Sequence, residues 1–317
     1  MPHPPASGSE ATSASGPPTA LGHGVSLADV GVSRREAGWH GWLIRINLRA
    51  CAPHGVAGAL TTPSSKTVRY ERVGPVAWLT IQRPEARNAL NRSVREGLFA
   101  GARQFNEDER AKVLVLTGAG EIAFCAGGDL KEMAETSLEV PPADFLPQFG
   151  RNIEVSKPII AAVNGIAFAG GFLLAQSCDL CVASDTARFA INEAKVGRGA
   201  PWAAVLPLLI PPRVAMELIL TGEPITATRA FEIGLVNKVV PPAELVDEVQ
   251  QLAEGIAANA PLSVLAGKKT IRLMTEYPLA QAFEAAERLW EPVYRSRDAQ
   301  EGPAAFRDGR EPDWKGH

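Results

Sequence analysis

The chain has 317 residues, 46% of them hydrophobic, and a formal net charge of −3. That length and apolar share suffice for one large core with small appendages. The charge offers no basic field for a nucleic-acid partner, and no uninterrupted apolar run approaches the ~20 residues of a membrane span.

Residues 1–66 differ from the rest. The opening MPHPPASGSEATSASGPPTALGHG is rich in Pro, Ser, Gly and Ala without periodicity, the composition of a disordered segment. Trp39 to Leu48 is apolar enough for a short helix or strand, but Pro53 isolates it. Arg34, Arg35, Arg45 and Arg49 outnumber Asp29 and Glu36, which would suit a transit peptide; a dispensable tail on a cytoplasmic protein, or translation begun upstream of the true start, is the preferred reading. The expected division is a disordered extension over 1–66, a core over 67–255 and a helical region over 256–317.

From Thr67 the pattern is regular. Val68–Val73 and Val76–Ile81, split by Gly74-Pro75, predict a β-hairpin with alternating faces. A helix is expected from Arg92 to Phe105, then strands at 113–117, 158–163 and 179–184, each pair separated by a helix or loop. Such alternation argues an α/β core. After Pro201 helical spacing dominates: 212–220, 228–234, 243–259, 262–277 and 279–290, with Gly234 closing one helix and Pro261 starting another. Cys178-Asp-Leu-Cys181 has CxxC spacing, but a strand runs through it and no second Cys/His pair lies nearby. Ordinary buried thiols are expected.

Two junctions share one chemical logic. After strand 113–117, Gly118-Ala-Gly120 turns, and Phe124-Cys-Ala-Gly-Gly-Asp-Leu-Lys131 enters a helix. After strand 158–163, Asn164-Gly165 turns, and Gly170-Gly171 opens an apolar helix. Glycine lets a ligand approach the backbone, and the first N–H groups of a helix have no internal partner and lie at the positive end of its dipole. Two strand–glycine–helix junctions, each aiming one N–H at a common point, are the parts of an oxyanion hole.

Together, FCAGGDL and NGIAFAGGFLLAQSCDL resemble the enoyl-CoA hydratase/isomerase (crotonase) family, from about Tyr70 to the C-terminus. RPEARNAL (83–90), FAINE (189–193), LTGEPIT (220–226), AFEIGLVN (230–237) and EGPAAF (301–306) belong to the same resemblance. It implies a spiral of ββα units with a C-terminal helical region, an acyl-CoA thioester as substrate with no separate cofactor, and a homotrimer or a dimer of trimers.

The resemblance also implies site residues. Ala126 and Gly170 match the two oxyanion-hole positions, and Ala126, Gly127, Gly128, Asp129, Leu130 and Lys131 match the segment lining the acyl-CoA. Arg83 and Arg87 lie where relatives wrap the CoA phosphates, with the backbones of Ala86 and Ala89 as further contacts. Phe306 matches a pocket-facing phenylalanine, and Glu193 the second catalytic glutamate, able to move a proton at carbon or activate water. Asp129-Leu-Lys-Glu132 also has the spacing of a capping box, and for Asp129 that reading is preferred.

Two residues depart from the family pattern. The first catalytic glutamate is replaced by Leu173, which has no proton to offer and dries its surroundings, so desolvation is expected to raise the Glu193 pKa. Pro201 stands where hydratases carry a glycine whose N–H helps hold water, and proline has no N–H. Trp202 beside it could line the acyl pocket. The favoured reaction is reversible hydration of a 2-enoyl-CoA; Leu173 and Pro201 speak for the alternative, double-bond isomerisation by Glu193 alone. A non-catalytic CoA- or RNA-binding relative is the third reading.

Overall fold

The computed structural model describes residues 66–317; the reading of the N-terminal extension lies outside them, except for Lys66. The hairpin forms as the alternation requires, with strand β1 (Val68–Val73) antiparallel to β2 (Val76–Ile81). Asn91 caps helix α1 (Arg92–Glu107) by accepting the Val94 N–H, and the helix buries Val94, Leu98, Ala102 and Phe105 on one face.

A repeating unit follows: a strand, a short second strand, then a helix. The first unit is β3 (Val113–Gly118), β4 (Ala123–Cys125) and α2 (Leu130–Thr136). The second is β5 (Ile159–Val163), β6 (Ile166–Phe168) and α3 (Gly170–Ser177). In the third, β7 (Leu180–Ser184) and β8 (Arg188–Ala190) lead into a 3₁₀ turn, Glu193–Val196.

The first strand of each unit enters one sheet and the second enters another. β9 (Ile225–Thr226) closes the small sheet and β10 (Lys238–Val240) the large one. The large sheet runs β1-β2-β3-β5-β7-β10 and the small one β4-β6-β8-β9. Pairing is parallel except for β1 with β2 and β8 with β9. The chain thus winds as a spiral whose two walls are built in the same order.

Both faces of the large sheet are buried, so its strands read as continuous apolar runs. Leu114, Leu116, Ile159, Ala161 and Val163 enter the main core with α1 and α3. Val113, Val115, Ile160 and Ala162 face the other way, onto Leu245, Val249 and Ala253 of helix α7 (Leu245–Ala257).

The remaining helices are α4 (Leu206–Leu209), α5 (Pro212–Thr221), α6 (Ala227–Glu232), α8 (Pro261–Glu276), α9 (Leu279–Tyr294) and α10 (Asp298–Asp308). α8 is tied to the core through Asp179. That carboxylate accepts the Ile159 N–H at 2.8 Å, Lys268 Nζ at 2.7 Å and Arg272 Nη2 at 3.0 Å. The flanking Cys178 and Cys181 are free thiols that burial pushes up, Cys181 to about 12. No helix among the described residues is long and apolar enough to cross a membrane.

The three-residue strands of the small sheet are the part that periodicity did not anticipate, because a run that short carries no period. α9 also continues past the expected Trp290, through Pro292, to Tyr294.

Candidate active site

The site is built where the first two units turn from strand to helix. At the second turn the geometry is set by Ala169, which sits at φ 51°, ψ −117°, a region a residue with a Cβ rarely occupies. Its N–H is given to Ala190 O at 2.9 Å and its carbonyl accepts the Leu173 N–H at 3.0 Å. Gly170 then begins α3, so its own N–H has no carbonyl before it within the helix.

The first turn lies against this one. A methyl placed on Gly127, at φ +98°, would come 2.8 Å from Ala169 Cβ, and one on Gly170 would come 2.8 Å from Leu90 Cδ1 and 3.7 Å from Gly127 Cα. The backbones meet because neither glycine carries a side chain.

Which amide of the first turn is open differs from expectation. The Ala126 N–H donates to Arg87 O at 3.0 Å, so it is already engaged inside the protein. Leu90 N donates to Gly127 O at 2.8 Å and Asp129 N to Leu90 O at 3.4 Å, which makes a parallel bridge between Leu90 and Gly128. That bridge uses the groups on either side of the Gly128 amide. Among the described residues the Gly128 N–H has no acceptor, and it is the donor this turn presents. The amide this turn leaves open is therefore that of Gly128 rather than the expected Ala126, because Arg87 and Leu90 of the 83–90 loop bond to the FCAGGD segment.

Two asparagines hold these turns, Asn88 and Asn164, in roles that the sequence pattern alone does not show. Asn88, 0% exposed and left-handed at φ 56°, accepts the Arg83 N–H and donates to Ala119 O and to Ala123 O at 2.7 Å. Asn164 donates to Gly118 O at 2.8 Å and to Gly120 O at 2.6 Å. Each satisfies loop carbonyls that no strand reaches.

Asp129 is a helix cap. It accepts from the Lys131 and Glu132 amides and from Arg83 Nη1 at 3.0 Å. Burial pushes its carboxyl up, but the Arg83 guanidinium and the two amides more than reverse this and leave it below the usual range. The reciprocal half of the expected box is missing. Glu132 turns to Arg92 N at 2.7 Å and Arg95 Nη1 at 2.6 Å, tying α2 to α1.

The same contacts revise Arg83. Its Nη1 bridges Ala89 O at 2.8 Å and Asp129, so it clamps the loop rather than reaching outward. The Ala86 and Ala89 amides are also engaged, donating to Arg83 O and Ala86 O at 3.0 Å. Arg87 and Lys131 are exposed and, among the described residues, form no ion pair. Leu130, 55% exposed, stands beside Lys131.

The third unit brings the carboxylate. Glu193 is 8% exposed at the start of its 3₁₀ turn. Burial raises its pKa to about 7; its own backbone amide and the neighbouring Trp202 side chain offset part of that. Desolvation wins, as expected for a site where Leu173, 3% exposed, replaces a carboxylate. Pro201 opens a second 3₁₀ turn, Pro201–Val205, which carries Trp202 inward. Trp202 lies 5.8 Å from Phe172, two residues past Gly170, so the Glu193 turn and the Gly170 helix share one contact chain.

Four buried polar atoms have no partner among the described residues: Glu193 Oε2, Asn192 Oδ1, Gln176 Oε1 and Arg198 Nη2. Three of the four residues belong to or adjoin the Glu193 turn, and Gln176 donates to Trp202 O of the following turn at 3.2 Å. Unsatisfied groups gathered this way mark a face that a ligand or water completes. Sequence offered no signal for Gln176 or Arg198. Phe306, by contrast, is 91% exposed on α10.

Paired glycine turns on a ββα spiral, with a buried glutamate presented by the third turn, define an acyl-thioester class of fold and site. Residues 71–317 match the family model described as enoyl-CoA hydratase/isomerase. A carnitinyl-CoA dehydratase from Salmonella arizonae is 38% identical over 263 residues, covering 80% of this chain and all of the relative. An enoyl-CoA hydratase from Mycobacterium tuberculosis H37Rv is 39% identical with a TM-score of 0.72, over 79% of this chain and 99% of that one. An enoyl-CoA hydratase/isomerase from Mycobacterium paratuberculosis is 32% identical with a TM-score of 0.74, over 80% and 100%. The chain belongs to the enoyl-CoA hydratase/isomerase (crotonase) family, whose members are enzymes acting on acyl-CoA thioesters.

Proposed function

We propose that this enzyme adds water reversibly to the double bond of a 2-enoyl-CoA, with the Gly128 and Gly170 amides holding the thioester oxygen. Glu193 carries the proton. The observation that supports this most is the buried Glu193 carboxyl with one free oxygen and a pKa near 7, joined through Trp202 and Phe172 to the Gly170 turn. In hydration the carboxylate takes a proton from water as the water oxygen bonds C3. The C2=C3 electrons move onto the thioester oxygen as an enolate, and the enolate takes the proton back at C2. Amides aimed at that developing charge contribute ~10²–10³ in rate each. No metal or redox group enters these steps; CoA is part of the substrate, with Arg87, Lys131 and Leu130 as its nearest exposed contacts.

A second reading, isomerisation of a 3-enoyl-CoA, is favoured by Leu173 and Pro201, which supply neither a second carboxyl nor an amide to hold water. The name of the Salmonella relative adds carnitinyl-CoA as a substrate to test. The same proposal includes a cytoplasmic homotrimer or dimer of trimers, assembled through the helical region 256–317 beyond the core 67–255.

Incubation with crotonyl-CoA, carnitinyl-CoA and a 3-enoyl-CoA, following the conjugated-thioester absorbance, decides between the readings. Loss of absorbance from crotonyl-CoA, abolished by Glu193→Gln, supports hydration. Turnover of the 3-enoyl substrate alone replaces hydration by isomerisation.

A further inference from the structure

We propose that Arg198 reads the far end of the acyl group: this site takes a 2-enoyl-CoA whose acyl chain ends in a carboxylate, and the buried Nη2 of Arg198 binds it. The inference deepens the reading of the site as one for a 2-enoyl-CoA and rests on that reading.

The backbone fixes where this arginine stands. Gly197, at φ +64°, reverses the chain after the Glu193 turn, and the Arg198 N–H donates to Glu193 O at 3.0 Å. Its Nη1 donates to Leu138 O at 2.9 Å, which holds the guanidinium against the segment leaving α2. Nη2 is buried and has no partner. Of the four unpaired buried atoms it is the one donor; the other three are acceptors.

Charge narrows the choice of ligand. Lys195, in the same turn, is exposed and pairs with Glu223 at 2.7 Å. Arg198 is half-buried and, among the described residues, forms no ion pair, neither with Glu193 nor with the exposed Glu139 next to Leu138. A guanidinium keeps its proton, so a partly buried one is stabilised by an anion, and its planar fork suits a carboxylate.

Placement selects the acyl end over CoA. Leu130 and Lys131, the exposed residues proposed for CoA, open α2 beside Gly128, whereas Leu138 lies two residues past its end. The two positions are about 10 Å apart along the axis. A thioester held at Gly128 and Gly170 sends CoA past Lys131 and its acyl chain past Glu193 towards Arg198.

The test uses saturated thioesters, which need no turnover. In calorimetric titrations of the full chain, glutaryl-CoA is compared with butyryl-CoA, and adipyl-CoA with valeryl-CoA. The carboxylated member of at least one pair should bind about 10–100-fold more tightly. Arg198→Met should abolish that difference, Arg198→Lys should keep part of it, and free CoA should bind wild type and Arg198→Met alike. In kinetics, kcat/KM for glutaconyl-CoA should exceed that for crotonyl-CoA in wild type and lose that advantage in Arg198→Met. Equal binding of charged and neutral thioesters by wild type overturns the proposal. So does an equal loss for both thioesters in Arg198→Met, which would leave only the Leu138 clamp, or a matching loss of free-CoA affinity, which would make Arg198 a CoA contact. A binding preference in a protein that hydrates neither crotonyl-CoA nor glutaconyl-CoA counts against the proposed reaction and leaves the role of Arg198 standing.

Discussion

The Ala126 amide and the Arg87 carbonyl are joined by a hydrogen bond of 3.0 Å. This pairs the FCAGGD turn with the RPEARNAL loop and leaves the next open donor two residues on, at Gly128. Replacing Gly128 by proline, which removes that N–H, should lower kcat by ~10²–10³. Gly128→Ala keeps the amide, and its methyl meets only the movable end of Met133, so kcat should stay within a few fold. Steady-state kinetics with crotonyl-CoA separates the two. Equal loss in both variants would remove Gly128 from the oxyanion role.

Glu193 works as a carboxylate, so kcat/KM should rise with pH through about 7 and level off above it. Glu193→Gln should lower kcat by ~10²–10⁴ and erase this limb. Stability should move the opposite way. The folded pKa lies above the unfolded one, so the folded state holds the extra proton between about pH 4.5 and 7, and its stability falls across that window. Glu193→Gln should therefore raise the melting temperature at pH 8, where the ionised carboxylate costs about 1–3 kcal/mol, and leave it nearly unchanged at pH 4.5. Calorimetry at the two pH values checks the sign.

Arg83 and its exposed neighbours should separate on substitution. Arg83→Met leaves Asp129 Oδ2 and the Ala89 carbonyl without the Arg83 donor and should cost about 1–3 kcal/mol in denaturant unfolding. Arg87→Ala and Lys131→Ala should change stability by less than ~0.5 kcal/mol. Both should raise KM for CoA thioesters, more at low salt than at high. A KM effect without destabilisation at Arg83 would contradict the clamp.

Gly171 admits no side chain, because a methyl there would run into the Cys125 backbone carbonyl. Backbone cannot swing aside as a side chain does, so Gly171→Ala should destabilise by about 1–3 kcal/mol or more and disturb the two turns together. Urea unfolding alongside kcat measures both. Wild-type stability in this variant would mean the turns are further apart than described.

Sequence by itself determined the class of molecule. The strands at 113–117, 158–163 and 179–184 follow from their continuous apolar runs, and the hairpin at 68–81 and the helices beyond 212 from periodicity, because each of these is long enough to show its period. The motifs around Gly170 and Glu193 identified the family, and Leu173 foretold a desolvated glutamate. Asp129 declared itself a cap by spacing alone. Only tertiary structure decided which amide is open, since the Ala126–Arg87 and Leu90–Gly127 bonds join segments about 40 residues apart. It also decided that Arg83 is a clamp and that Phe306 faces outward. Local pattern specifies what a segment prefers to be. Which donors remain unpaired, and which charges are buried, depend on what the rest of the chain brings alongside.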